Sequence, residues 1–158
     1  MKTTSPEYFE ILLRYYEEEV SGEAYFNALS HHIGEPEKFE LLARVERCAA
    51  ASAAPLLSKY ALQPRDTAAL YAIGKRQASL HENYTWTQFV AHIIHRYPQY
   101  LDEFHYLESL APTDDVPALK QLTEHEVAVI EFAKLEAAGH SESCQPLHEY
   151  IQRTQRAE

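Results

Sequence analysis

Glu19 and Glu23 stand four residues apart, one helical turn, in a stretch whose apolar residues recur at helical spacing. Glu46 lies next to Val45 in a second such stretch, and Leu122 and Val129 bracket His125-Glu126 in a third. Read as helices, the three stretches each turn at least one carboxylate toward an apolar interior. Burying a carboxylate costs on the order of several kcal/mol unless it is paired or coordinated. Several buried together repel one another, and a shared cation relieves that repulsion; two divalent ions would neutralise four carboxylates. Carboxylate and imidazole together suit iron or manganese better than a closed structural zinc site. Glu19, Glu23, Glu46, His125 and Glu126 are therefore the candidate metal ligands.

A structural role competes with this reading. A glutamate at the edge of an apolar stripe ordinarily reaches solvent or pairs with an arginine, and Arg14, Arg44, Arg47 and Arg96 are on hand. A lone core histidine is ordinarily one with its hydrogen bonds met. At most two of Glu124-His125-Glu126 can face inward, because consecutive residues fan around a helix. Asp102 and His105 form a further carboxylate–imidazole pair at helical spacing, set to one side of Phe104, while His92 and His95 flank Ile93. Tyr16, Tyr25, Tyr97 and Tyr100 are candidates to line the interior, and Cys48 among alanines reads as a small apolar residue. The chain has no glycine-rich phosphate loop and no Gly-x-Ser-x-Gly element.

The elements that must position these groups follow from punctuation and periodicity. Ser5 caps a first helix with Pro6 at its first position, and that helix runs to His31 or His32 before Gly34. Its stripe is Phe9, Leu12, Leu13, Tyr16, Val20, Phe26 and Leu29. A short turn at Glu35-Pro36 makes the second helix, 37–60, an antiparallel neighbour, and Pro55 should bend it. Asp66 caps a short helix over 67–80 that can carry the chain back along the bundle as a crossover. A third long helix spans 85–110 with a kink at Pro98, and a fourth spans 116–138 with Gly139 just past its end. A short segment around 146–152 follows, after which the tail should fray. The expectation is one all-α domain over 1–158.

Composition narrows the function classes. A hydrophobic fraction of 46% in 158 residues supports a single core. A net charge of −10 argues against nucleic acid and against anionic membrane surfaces as partners. Two distant cysteines, with no apolar leader or bilayer-spanning run, suggest a cytoplasmic protein. A small-molecule substrate and association as a homodimer are compatible with this composition.

The segment Glu18-Glu19-Val20-Ser21-Gly22-Glu23-Ala24-Tyr25-Phe26 resembles the first helix of ferritin-like proteins, a group that includes rubrerythrins and other di-iron carboxylate bundles. The likeness extends to small bacterial ferritin-like domain proteins through Leu41-Leu42, Val45-Glu46, Tyr100, Phe104, Leu107, Ala111-Pro112, His125-Glu126, Ala128, Phe132, Glu136 and Gly139. It implies a ferritin-like four-helix bundle and, in active relatives, oxygen or peroxide chemistry at a di-metal centre. It carries Glu23, Glu46 and Glu126 over as ligands. Catalytic relatives have Glu-x-x-His on the second and fourth helices. Here Ala49 and Val129 stand where those histidines would be, and Glu-x-x-His occurs nowhere in the chain. The expected function is thus iron- or manganese-dependent redox chemistry at an altered site. The alternative is a bundle that has lost its metal and acts as an interaction module.

Overall fold

The computed structural model describes residues 4–156, and the N-terminal Met1-Lys2-Thr3 and the last two residues of the tail lie outside them. The described chain is helical, without strands. Helix α1 is Pro6–Leu29, α2 Pro36–Lys59, α3 Thr67–Ser79, α4 Trp86–Arg96, α5 Pro98–Leu110, α6 Val116–Ala137 and α7 Gln145–Arg156, with a single 3-10 turn at Thr113–Asp115 before α6. No helix among the described residues is long and apolar enough to cross a membrane.

Local chemistry accounts for most of the boundaries. The Ser5 hydroxyl accepts from the Tyr8 amide at 3.2 Å, and Pro6 opens α1 with its φ already set. Asp66 caps α3 by accepting from the Ala69 amide at 2.8 Å. Thr85 and Gln88 cap α4 reciprocally, each side chain accepting the other residue's amide. Gly139, at φ +70°, closes α6 with the left-handed residue such an end requires. Helix α2 runs through Pro55, as its expected span does, with the proline on its exposed side. Two expectations need correction. The 85–110 helix is two helices that meet at Tyr97, because Pro98 has no amide to continue the ladder. The tail does not fray after residue 152: α7 continues to Arg156, since Leu147, Tyr150, Ile151 and Thr154 bury one face against α2 and α6.

The interior consists of two apolar clusters. One gathers Phe26, Phe39, Phe89, Val129 and Phe132, and the other Tyr8, Leu12, Tyr15, Phe104 and Leu122. Helix α1 starts in the second cluster and ends in the first, and α6 runs the same way. Helix α2 and the α4–α5 pair run oppositely. The chain therefore leaves α2 at one end and must enter α4 at the other, and α3, packed along α1, spans that distance. The approach of α3 to α1 is very close. A Cβ on Gly74 would fall 2.1 Å from the Ser21 carbonyl oxygen, so only glycine fits there.

Candidate metal centre

A polar layer separates the two apolar clusters. On α1 it lies between Tyr15 and Phe26, on α2 between Val45 and Ala49, and on α6 between Leu122 and Val129. It is made by Glu19, Glu46, His125 and Glu126, each no more than 7% exposed. His125 Nε2 lies 2.8 Å from Glu19 Oε2, 3.2 Å from Glu46 Oε2 and 3.5 Å from Glu126 Oε2. One ligating atom each from Glu19, Glu46 and His125 falls within a span of 4.8 Å, a spacing that could hold a metal ion. Gly22 gives Glu46 its room, since a Cβ there would sit 3.2 Å from the Glu46 carboxyl carbon.

The imidazole is fixed from behind. Its Nδ1 meets the Leu122 carbonyl, which can only accept, so Nδ1 carries a hydrogen and Nε2 is the atom aimed at the carboxylates. Phe104 stands edge-on to the ring at a centroid distance of 5.4 Å, and Tyr150 tilts against it at 6.3 Å. The Tyr150 hydroxyl donates to the Gln121 carbonyl at 3.0 Å, which anchors α7 beside the site. A carbonyl behind one ring nitrogen is the arrangement that orients a metal-binding histidine.

Among the described residues, three atoms of the layer, His125 Nε2, Glu46 Oε2 and Glu126 Oε1, are buried with no aligned hydrogen-bond partner. Such orphaned groups are costly and rare. Burial and the nearby Glu46 push the Glu19 carboxyl well above the usual range, although His125 pulls against them. Burial pushes Glu126 up to about 8, with His125 opposing. Burial also acts to raise Glu46, but Glu19 and His125 outweigh it and hold the group low. Burial alone would lower His125, and the Glu19 and Glu46 carboxylates reverse that and raise it. With all three carboxyls ionised the layer would hold more negative charge than one imidazole can balance, and the upward shifts of Glu19 and Glu126 oppose that state.

Of the five candidate ligands, the structure brings together Glu19, Glu46, His125 and Glu126 and sets Glu23 apart. Glu23 is buried, but Arg47 Nε donates to one of its oxygens at 2.5 Å and the Tyr71 hydroxyl to the other at 2.6 Å. The edge-glutamate role thus holds for Glu23 and fails for Glu19. His95, Asp102 and His105 are exposed. Tyr16 packs half-buried in the second apolar cluster, while Tyr15 takes the inward position. Tyr150 and Gly74 escaped the sequence reading. A glycine inside an amphipathic helix was the available signal for Gly74, and Tyr150 gave none beyond its helical spacing.

A pocket of about 420 Å³ runs from the layer to the surface. Glu19, Glu46 and Glu126 form its floor, and Tyr15, Tyr25, Phe26, Tyr97, Tyr100 and Phe104 form its walls. Its rim carries Glu18, Gln77, Leu80, His81, His92 and Arg96. The Tyr25 hydroxyl is 2.8 Å from His81 Nδ1, and the His81 and His92 rings sit 4.7 Å apart. Comparison of the chain with protein-family models, with curated proteins and with solved structures returned no match.

Proposed function

We propose that this chain is a ferritin-like bundle in which Glu19, Glu46, His125 and Glu126 hold a divalent iron or manganese ion at the floor of an open pocket, for redox chemistry on a small molecule. The observation that carries the reading is the set of orphaned buried atoms, His125 Nε2, Glu46 Oε2 and Glu126 Oε1, converging from α2 and α6 beside Glu19 of α1. The run of α1 and α6 against α2 and α4–α5, joined by a long crossover, is compatible with the ferritin-like arrangement. The donor set fits one ion. With His125 neutral, the charges of Glu19 and Glu46 balance a divalent cation, and Glu126 is a further oxygen donor. The α4–α5 side of the site presents Tyr97, Tyr100 and Phe104, so a second ion would find few ligands there.

An ion bound here would supply Lewis acidity and access to oxygen or peroxide chemistry. The protein's own part is to orient. Leu122 fixes the His125 tautomer, Gly22 admits Glu46, and the aromatic walls frame the approach to the carboxylates.

A second reading has an observation of its own. The separations of 2.8 and 3.2 Å suit an imidazolium paired with Glu19 and Glu46, and protonation of Glu126 would let the layer approach neutrality without metal. That state describes an interaction module. Elemental analysis of protein purified without chelator, with thermal melts in Fe²⁺, Mn²⁺ and chelator, decides between them. The metal reading expects about one ion per chain and a melting temperature raised by metal, since a ligand bound only to the folded state stabilises it. Sub-stoichiometric metal, with melts indifferent to both ions, would leave the imidazolium module.

A further inference from the structure

The pocket has an uneven distribution of charge. Its floor is acidic and its walls are aromatic, while its rim carries one arginine, Arg96, and one exposed carboxylate, Glu18, whose charge is offset by Arg14. Among the described residues Arg96, like Arg14, Arg44 and Arg76, has no carboxylate within ion-pairing distance, whereas Arg47, Arg65 and Lys59 are each paired. Arg96 ends α4 next to His92 and near His81, and its charge, added to their burial, holds both imidazoles below their usual range. Those rings therefore add no second positive charge to the rim near neutral pH. They offer hydrogen bonds and flat apolar faces.

We infer that the pocket takes a small monocarboxylate with an apolar or aromatic body, its carboxylate on Arg96 and its body between Tyr25, Tyr97 and Tyr100, with the far end toward the Glu19–Glu46–Glu126 floor. A guanidinium fork matches a carboxylate in geometry and in charge. A volume of about 420 Å³ is at the small end of ligand sites, enough for a molecule of metabolite size. The acidic floor and the chain's net charge of −10 disfavour a dianion such as a phosphate monoester. Cations would be drawn to the floor and repelled by Arg96, which sets the direction in which a monoanion enters. The inference rests on the metal-centre reading only for what the far end of the ligand meets.

Titration calorimetry with 3-phenylpropanoate, 3-phenylpropanol and phenyl phosphate tests it, on metal-loaded and on chelator-treated protein. The acid should bind about tenfold or more tightly than the alcohol, and more tightly than the phosphate. Arg96→Gln should remove that preference and Arg96→Lys should restore part of it; the side chain is exposed, so both variants should fold. Equal affinity for acid and alcohol, a preference for phenyl phosphate, or an Arg96→Gln protein that still prefers the acid would each overturn the proposal. Arg96-dependent binding of the acid to a protein that takes up no metal would sustain this inference and sink the metal reading. Metal uptake without a preference for the acid would do the reverse.

Discussion

His125 Nε2 and Glu19 Oε2 lie 2.8 Å apart although the two residues are more than a hundred positions apart in the chain, and among the described residues no aligned hydrogen bond satisfies the nitrogen. One turn along α1, Glu23 has both oxygens engaged by Arg47 and Tyr71. Two glutamates of one helix thus have opposite environments, and their variants should separate. Glu19→Gln should abolish metal uptake, whereas Glu23→Gln should leave stoichiometry unchanged and lower stability by about 1–3 kcal/mol through its lost charged hydrogen bonds. Elemental analysis and urea denaturation read the two effects. Full metal binding by Glu19→Gln would place the ion elsewhere.

The Gly74 backbone rests on α1. Gly74→Ala puts a methyl group 2.1 Å from the Ser21 carbonyl oxygen, and backbone cannot swing aside as a side chain can. The helices must separate, at a cost of about 3 kcal/mol, the upper end of ordinary overpacking. A fall in the urea midpoint with an unchanged slope is expected. Because α3 leads into the rim residues Gln77, Leu80 and His81, ligand binding should weaken as well.

Tyr150 supports His125 from α7, a contact that is easily separated from charge. Tyr150→Phe keeps the ring and loses only the hydrogen bond to Gln121, so metal affinity should change little. Tyr150→Ala leaves a void in a fully buried position and should cost about 3–5 kcal/mol. Metal affinity should fall with it, because the imidazole is then free to turn. Equal metal affinity in wild type and Tyr150→Ala, measured well below the melting temperature, would deny α7 any role in the site.

Acid sensitivity should come from Asp115, far from the candidate metal centre. It is fully buried and accepts from Tyr8 at 2.7 Å, Tyr60 at 2.5 Å and Lys59 at 2.6 Å. Burial would raise its pKa, but the Lys59, Tyr60 and Tyr8 donors outweigh burial and hold it below the usual aspartate value of 3.8. A carboxyl depressed on folding contributes stability that is complete above its unfolded pKa and is lost as pH falls through the folded one. Melting temperature should therefore drop as pH falls below about 4, by the linkage above. Asp115→Asn should melt lower at neutral pH, by on the order of 2 kcal/mol for the weakened buried hydrogen bonds. Its loss on acidification should be shallower. An identical acid profile in the variant would assign the effect to other carboxylates, such as Glu136, which Lys38, Ser143 and Trp86 hold low against burial.

The sequence by itself determined the order of the helices and most of their ends, because those depend on neighbours within a turn: Ser5 before Pro6, Asp66 before Thr67, Gly139 after α6. It also placed carboxylates near the interior on α1, α2 and α6. It misplaced the centre of the α1 stripe. Tyr16 and Val20 are as apolar as Tyr15, and the true inward line, Tyr8, Leu12, Tyr15, Glu19 and Phe26, carries a charge in its middle. A periodicity built on apolar residues steers away from a charged position, so Glu23 looked as good a ligand as Glu19. Only the tertiary structure decided between them, because the decision rests on Arg47, Tyr71 and His125, which lie on three other helices. The pocket, the Arg96 rim and the Tyr150 support have the same origin. Each is a juxtaposition across the bundle, set by how α3, α4 and α7 pack, and spacing along one helix carries no record of it.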